Sequence, residues 1–225
     1  MNEHARLSAL VERVYDILVP LWPGAAPLLH YRNCFELLCA VVLSAQCTDE
    51  QVNRVTPQLF AAWPDAESLA RADLERVETV IHSVGFYKTK ARHLVELSRL
   101  LAERHGGAVP ASMEELLELP GVGRKTANLV LSACFGAPGI VVDTHVLRVG
   151  LRLGIGSKAD ATDMERRIAA LVEPERRTDF SYALNRHGKF ICTARQPDCK
   201  ACPIASLCPK IGLERKATRG RAGRT

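Results

Sequence analysis

The segment Leu119-Pro120-Gly121-Val122-Gly123-Arg124-Lys125-Thr126-Ala127 decides the fold. Apolar spacing on either side of it predicts two helices, Met113 to Leu119 and Lys125 to Cys134. Between them a proline and two glycines call for a tight turn that lets another molecule approach the backbone closely. The N–H groups that open the second helix lack intrahelical acceptors. Gly121, Val122, Gly123 and Arg124 can therefore cradle one phosphate without reading a base. An ordinary helix–helix turn would use the same glycines, and Lys125 is what raises the turn to a candidate for chemistry. In the first turn of a helix the positive end of the dipole disfavours an ammonium, and a substrate seated beside it would exclude water; both favour the neutral, nucleophilic amine. The plainer use of such a residue is a surface lysine paired with phosphate.

Downstream, Asp143 follows the apolar run Ile140-Val141-Val142 and precedes a helix opening with Thr144-His145, a position that suits a helix N-cap. A carboxylate fixed by capping can also stabilise positive charge developing on a sugar, or assist proton movement.

The rest of the chain reads as further helices. Leu7, Leu10, Val14, Ile17, Leu18 and Leu21 follow helical spacing, as do apolar residues from Ala91 to Ala102. Similar patterns run from Phe35 to Ala45, Glu50 to Ala61, Asp73 to Ile81, Thr144 to Leu153, Thr162 to Val172 and Asp179 to Phe190. Breakers fall between them at Pro64, Gly85, Gly106, Gly107, Pro110, Pro138 and Pro174. No stretch alternates for long with period two, so the fold class is all-α, with no domain boundary evident from composition.

Eight cysteines in a chain whose first segment lacks the apolar core of a signal peptide favour reduced thiols or metal ligation over a disulfide framework. Cys34, Cys39, Cys47 and Cys134 sit in apolar surroundings and read as small core residues. Cys192, Cys199, Cys202 and Cys208 differ, since C-x6-C-x2-C-x5-C places four thiols within 17 residues. Such a set suits an iron–sulfur cluster or a structural zinc, and in either case would staple a segment too short and polar to order itself. Arg195 inside the loop, with Arg186, Lys189 and Lys200 nearby, would present positive charge to a phosphate backbone.

Composition limits the partners. Apolar residues make up 47% and charged residues 24%, which excludes a wholly disordered or collagen-like chain. The apolar stretch Leu129 to Val142 is interrupted and shorter than the ~18 residues a bilayer span requires, so no membrane segment is expected. Of the net charge of +5, residues 213 to 225 supply +4 through five basic residues and one Glu. A basic, disordered tail from about residue 212 would add only non-specific phosphate affinity.

The combination of LPGVGRKTA at 119–127, VVDTH at 141–145 and the four-cysteine spacing closely resembles the endonuclease III family of DNA glycosylases. SAQCTD at 44–49, VGFYKTKA at 84–91 and HGKFIC at 187–192 extend the resemblance over nearly the whole chain. It implies a two-lobed helix-hairpin-helix glycosylase fold with a DNA groove between the lobes. One lobe would be a contiguous helical bundle, residues 26–137, carrying the hairpin at about 112–134. The other would join residues 1–25 to 138–211 and hold a [4Fe-4S] cluster on Cys192, Cys199, Cys202 and Cys208.

The resemblance further implies base excision on double-stranded DNA containing oxidised pyrimidines or abasic sites, with the damaged nucleotide flipped out of the stack. Lys125 would be the nucleophile that forms a Schiff base and permits β-elimination, with Asp143 assisting. Gln46 would fill the vacated space and Phe86 would act as a wedge, where the best-known bacterial members place Leu. Further DNA contacts are expected at His145, Lys189 and Arg195. Gln196 and Asp198 stand where those members place basic residues, which predicts weaker contact from the cysteine loop to phosphate. Adenine glycosylases of the same superfamily lack lysine at the position of Lys125. A monomeric, cytoplasmic protein is the matching expectation, associated with the nucleoid if the source is bacterial.

Overall fold

A computed structural model describes residues 3 to 213, so all of the expected basic tail but residues 212 and 213 lies outside the described residues. Within them the chain is all-helical, with eleven α-helices, one 3₁₀ turn and no strand. It divides into two compact units, residues 27–137 and a discontinuous unit formed from the residues up to Ala26 and from Pro138 onward.

The 27–137 unit is built around α2 (Cys34–Ser44), whose residues Phe35 to Leu43 are all buried. A helix that is apolar on every face must be wrapped by others. Here α3 (Asp49–Ala62), α6 (Tyr87–His105) and α8 (Arg124–Phe135) pack on it. Short helices α4 (Ala66–Ala70) and α5 (Leu74–Val80) lie against α6, and α7 (Met113–Leu117) against α8. The one carboxylate inside α2, Glu36, is buried but accepts from the Arg32 backbone N–H (2.7 Å) and Nε (2.8 Å). Its own N–H donates to the capping Asn33 side chain at 2.9 Å.

Two sequence expectations need correction in this unit. Cys34 and Cys134 are paired as a disulfide across 100 residues, with Cα atoms 5.7 Å apart, because the start of α2 meets the end of α8. They are not two independent core thiols, whereas Cys39 is fully buried as expected. Helix α4 was not foreseen after Pro64. It is nucleated by a capping box in which the Asp65 side chain accepts from the Ser68 N–H and the Ser68 hydroxyl from the Asp65 N–H.

The discontinuous unit joins α1 (Glu3–Leu18) and the 3₁₀ turn Val19–Leu21 to α9 (Thr144–Leu153), α10 (Ala161–Leu171) and α11 (Pro174–Phe190). Val14, Leu18, Val146, Leu153, Ile168 and Phe180 belong to its core, and Cys192, Cys202 and Cys208 pack against that core. Pro174 separates α10 from α11 as a breaker and opens α11 at its first position, where its fixed φ is preorganised and no N–H is needed. The helix therefore starts five residues before the apolar pattern at Asp179. Gly188 lets α11 approach α9, since a Cβ there would sit 2.8 Å from the His145 Cβ.

Candidate active site

The glycine turn forms as read. Gly121 has φ +79°, and a Cβ on it would meet His93 Nδ1 at 2.8 Å and Val42 Cγ1 at 3.1 Å, so both backbone and space require glycine. Gly123 is the N-cap of α8, which makes Arg124 and Lys125 the first two helical residues. Gly121, Gly123, Arg124 and Lys125 are all exposed. Val122 departs from the expected phosphate cradle. Its side chain is buried and its N–H donates to the Leu119 carbonyl at 3.1 Å, closing the turn instead of facing outward.

In the other unit, Asp143 caps α9: its Oδ1 accepts from the His145 and Val146 N–H groups, both at 2.9 Å. Oδ2 accepts from the Asn185 Nδ2 at 2.8 Å. The segment leading into it is clipped by Ser181, whose hydroxyl accepts from the Val141 N–H (2.9 Å) and donates to the Val141 carbonyl (3.2 Å). Ser181 and Asn185 stand four residues apart on one face of α11, so a single helix fixes both the approach and the carboxylate. Sequence reading missed Asn185 and Ser181, each about forty residues from its partner. The His145 ring is drawn inward, with Nδ1 3.0 Å from Arg148 Nη2, and Lys189 is half-buried while Arg195 is exposed.

Beyond Asp143, Cys192, Cys199, Cys202 and Cys208 line one cavity with Arg152 and His187. Arg152 Nη1 donates to the Cys192 Sγ at 3.0 Å and the Lys210 N–H to the Cys208 Sγ at 3.4 Å. Burial pushes the Cys202 and Cys208 thiols up, and the charges of the other cysteines add to this. Among the described residues, no three or more His, Cys, Asp or Glu side chains are arranged to hold a single metal ion. The four-thiol donor set with its N–H···S contacts fits an iron–sulfur group.

Arg148 extends the same framework, its Nη2 donating to the Gly188 carbonyl (2.6 Å) and its Nε to the Cys192 carbonyl (3.0 Å). Burial, reinforced by the like charge of Arg152, pulls its guanidinium below the ordinary range, and Cys192 and Asp143 oppose this. The i, i+4 spacing of these two arginines on α9 was a usable signal for a shared face. In the cysteine loop, Asp198 accepts from the Lys200 and Ala201 N–H groups at 3.2 and 3.1 Å, which gives this departure a local turn-forming role.

A helical fold with this hairpin defines the HhH-GPD superfamily of base excision DNA repair proteins, and its profile matches residues 39–174. Endonuclease III from Synechocystis sp. is 47% identical over 86% of this chain and 89% of its own, and that from Bacillus subtilis 43% over 88% and 91%. A trapped covalent endonuclease III–DNA intermediate with an estranged adenine superposes with a TM-score of 0.87 at 39% identity, covering 90% of this chain and 96% of that one. The chain belongs to the endonuclease III family.

Proposed function

We propose that the protein is a bifunctional DNA glycosylase and abasic-site lyase of base excision repair, acting on oxidised pyrimidines in double-stranded DNA. The observation that carries this reading is Lys125, exposed in the first turn of the hairpin's second helix in a chain whose relatives include a trapped covalent DNA complex. The target nucleotide is flipped out because its sugar is unreachable inside the stack. The neutral Lys125 amine attacks C1′, the C1′–N bond to the base breaks, and the base leaves with a proton. Ring opening leaves an imine between Nζ and C1′. Removal of a C2′ proton then expels the 3′ phosphate, and water releases the enzyme by hydrolysing the imine.

Asp143 contributes a fixed negative charge, held by two backbone donors and Asn185, to oppose positive charge on the opening sugar. The exposed turn at Gly121 and Gly123, with Arg124, grips a phosphate, while Gln46 and Phe86 occupy the space the flipped nucleotide leaves. Within the discontinuous unit, Cys192, Cys199, Cys202 and Cys208 would hold a [4Fe-4S] cluster that neutralises their thiolates and closes the loop bearing Arg195. Among the described residues no helix is long and apolar enough to cross a membrane, and the nucleoid-associated cytoplasm is the location this substrate implies.

Incubating the protein with a duplex carrying one oxidised pyrimidine, in chelator and without nucleotide, tests the assignment. Strand cleavage by the wild type, lost in Lys125→Gln with duplex binding retained, is the expected result. Base release without cleavage would make the protein a monofunctional glycosylase, and binding without either product a damage-binding module.

A further inference from the structure

The mechanism does not use every buried cation. Lys90, in the first turn of α6, is only 5% exposed, and its Nζ donates to the Leu43 carbonyl at 2.8 Å, 47 residues away. Burial lowers its affinity for a proton. A methionine or leucine would fill the same space without that penalty, so the retained ammonium needs a reason.

The end of α2 supplies it. A helix leaves its last four carbonyls without intrahelical donors. In α2 three of these are met locally: Val41 by the Ser44 hydroxyl (2.8 Å), Val42 by the Ala45 N–H (3.5 Å) and Ser44 by the Cys47 N–H (3.0 Å). The fourth, on the fully buried Leu43, is met by Lys90. A cation at the C-terminal end of a helix also complements its dipole.

Two residues later the chain adopts φ +54° at Gln46, and in the facing loop Phe86 adopts φ +59°. Such backbones persist in non-glycine residues only where the surroundings over-determine them. The two loops adjoin, since a Cβ on Gly85 would lie 4.0 Å from the Gln46 carbonyl oxygen. Lys90 joins them. Its side chain, rooted in the first turn of the helix that Phe86 caps, ties down the end of α2 ahead of Gln46.

We propose that Lys90 is a positioning residue that locks the Gln46 and Phe86 loops into one rigid element, so that both side chains enter the helix together when a nucleotide leaves it. The proposal rests on the roles assigned to Gln46 and Phe86 above, but its structural half is testable without activity. Amide hydrogen exchange of the free protein should show Lys90→Met losing protection at Cys47, whose N–H closes the turn, while protection in the middle of α2 is unchanged. Unaltered exchange at Cys47, or a loss of protection spread through α2, would overturn it. Should Lys90→Met fail to fold, Lys90→Gln, which is polar but too short to reach Leu43, replaces it.

The functional half is read by comparing two substrates. Lys90→Met should slow release of an oxidised pyrimidine about tenfold, while β-elimination at a preformed abasic site changes much less. Combined with Gln46→Ala, it should add little to the single Gln46 variant, because both remove the same element. Parallel losses on both substrates, or fully additive effects, would mean a merely structural lysine. An inactive wild type would count against the glycosylase reading, leaving the exchange result to decide the role of Lys90.

Discussion

At the scale of single residues the site depends on contacts made far along the chain. Asp143 was legible as a cap because a helix pattern begins immediately after it, and its bonds to the His145 and Val146 N–H groups are local. Asn185 was not legible, because nothing in a sequence indicates which of two residues 42 positions apart will share a carboxylate. Replacing Asn185 by Leu removes a donor to a charged acceptor, worth about 1.5–3 kcal/mol. Base release should fall roughly tenfold or more in single-turnover assays, with affinity for an abasic-site analogue retained; loss of affinity in proportion would assign Asn185 to DNA binding. Val122 makes a local bond of the same kind, its N–H donating to the Leu119 carbonyl to close the turn.

At the scale of elements, long amphipathic helices were readable and short capped ones were not. Helix α4 has five residues, too few to display a period, and its signal lay in the Asp65–Ser68 reciprocal bonds. Those bonds hold the Asp65 carboxyl below its ordinary range. A carboxylate with a depressed folded pKa stabilises the fold above its unfolded value and loses that contribution as pH falls through the folded one. Asp65→Ala should therefore cost about 1 kcal/mol at neutral pH, and the difference from wild type in urea titrations should shrink as the pH drops below about 4. A difference independent of pH would show that the cap acts without its charge. The hairpin turn gives a sharper case. Gly121→Ala combines a positive φ with a contact to His93 that must move, and should cost about 1–3 kcal/mol. Weaker duplex binding with unchanged thermal stability would instead place the whole effect at the phosphate.

At the scale of the molecule, helix content and the four-cysteine spacing were plain in the residues, whereas the division into a continuous and a discontinuous unit was implied by the family resemblance alone and not by composition or periodicity. Composition does not change at residue 26 or 137; the returning chain is recruited by packing, as α1 supplies Val11, Val14 and Leu18 to a core otherwise drawn from residues beyond 138. The Cys34–Cys134 pair was hidden for the same reason, since only the packing of α8 on α2 makes them neighbours. Phe180 is fully buried in the discontinuous unit's core, and Phe180→Ala should cost about 3–5 kcal/mol. A much smaller loss of chemical stability would mean that this core relaxes around the cavity. In the proposed mechanism Lys125 bonds covalently to the sugar. Borohydride reduction during turnover on a duplex with one oxidised pyrimidine tests it most directly, with Lys125→Gln alongside. A stable protein–DNA adduct mapping to Lys125, formed by the wild type alone, is the predicted result; no adduct on either lesion or abasic-site duplex, from protein that binds both, would contradict it.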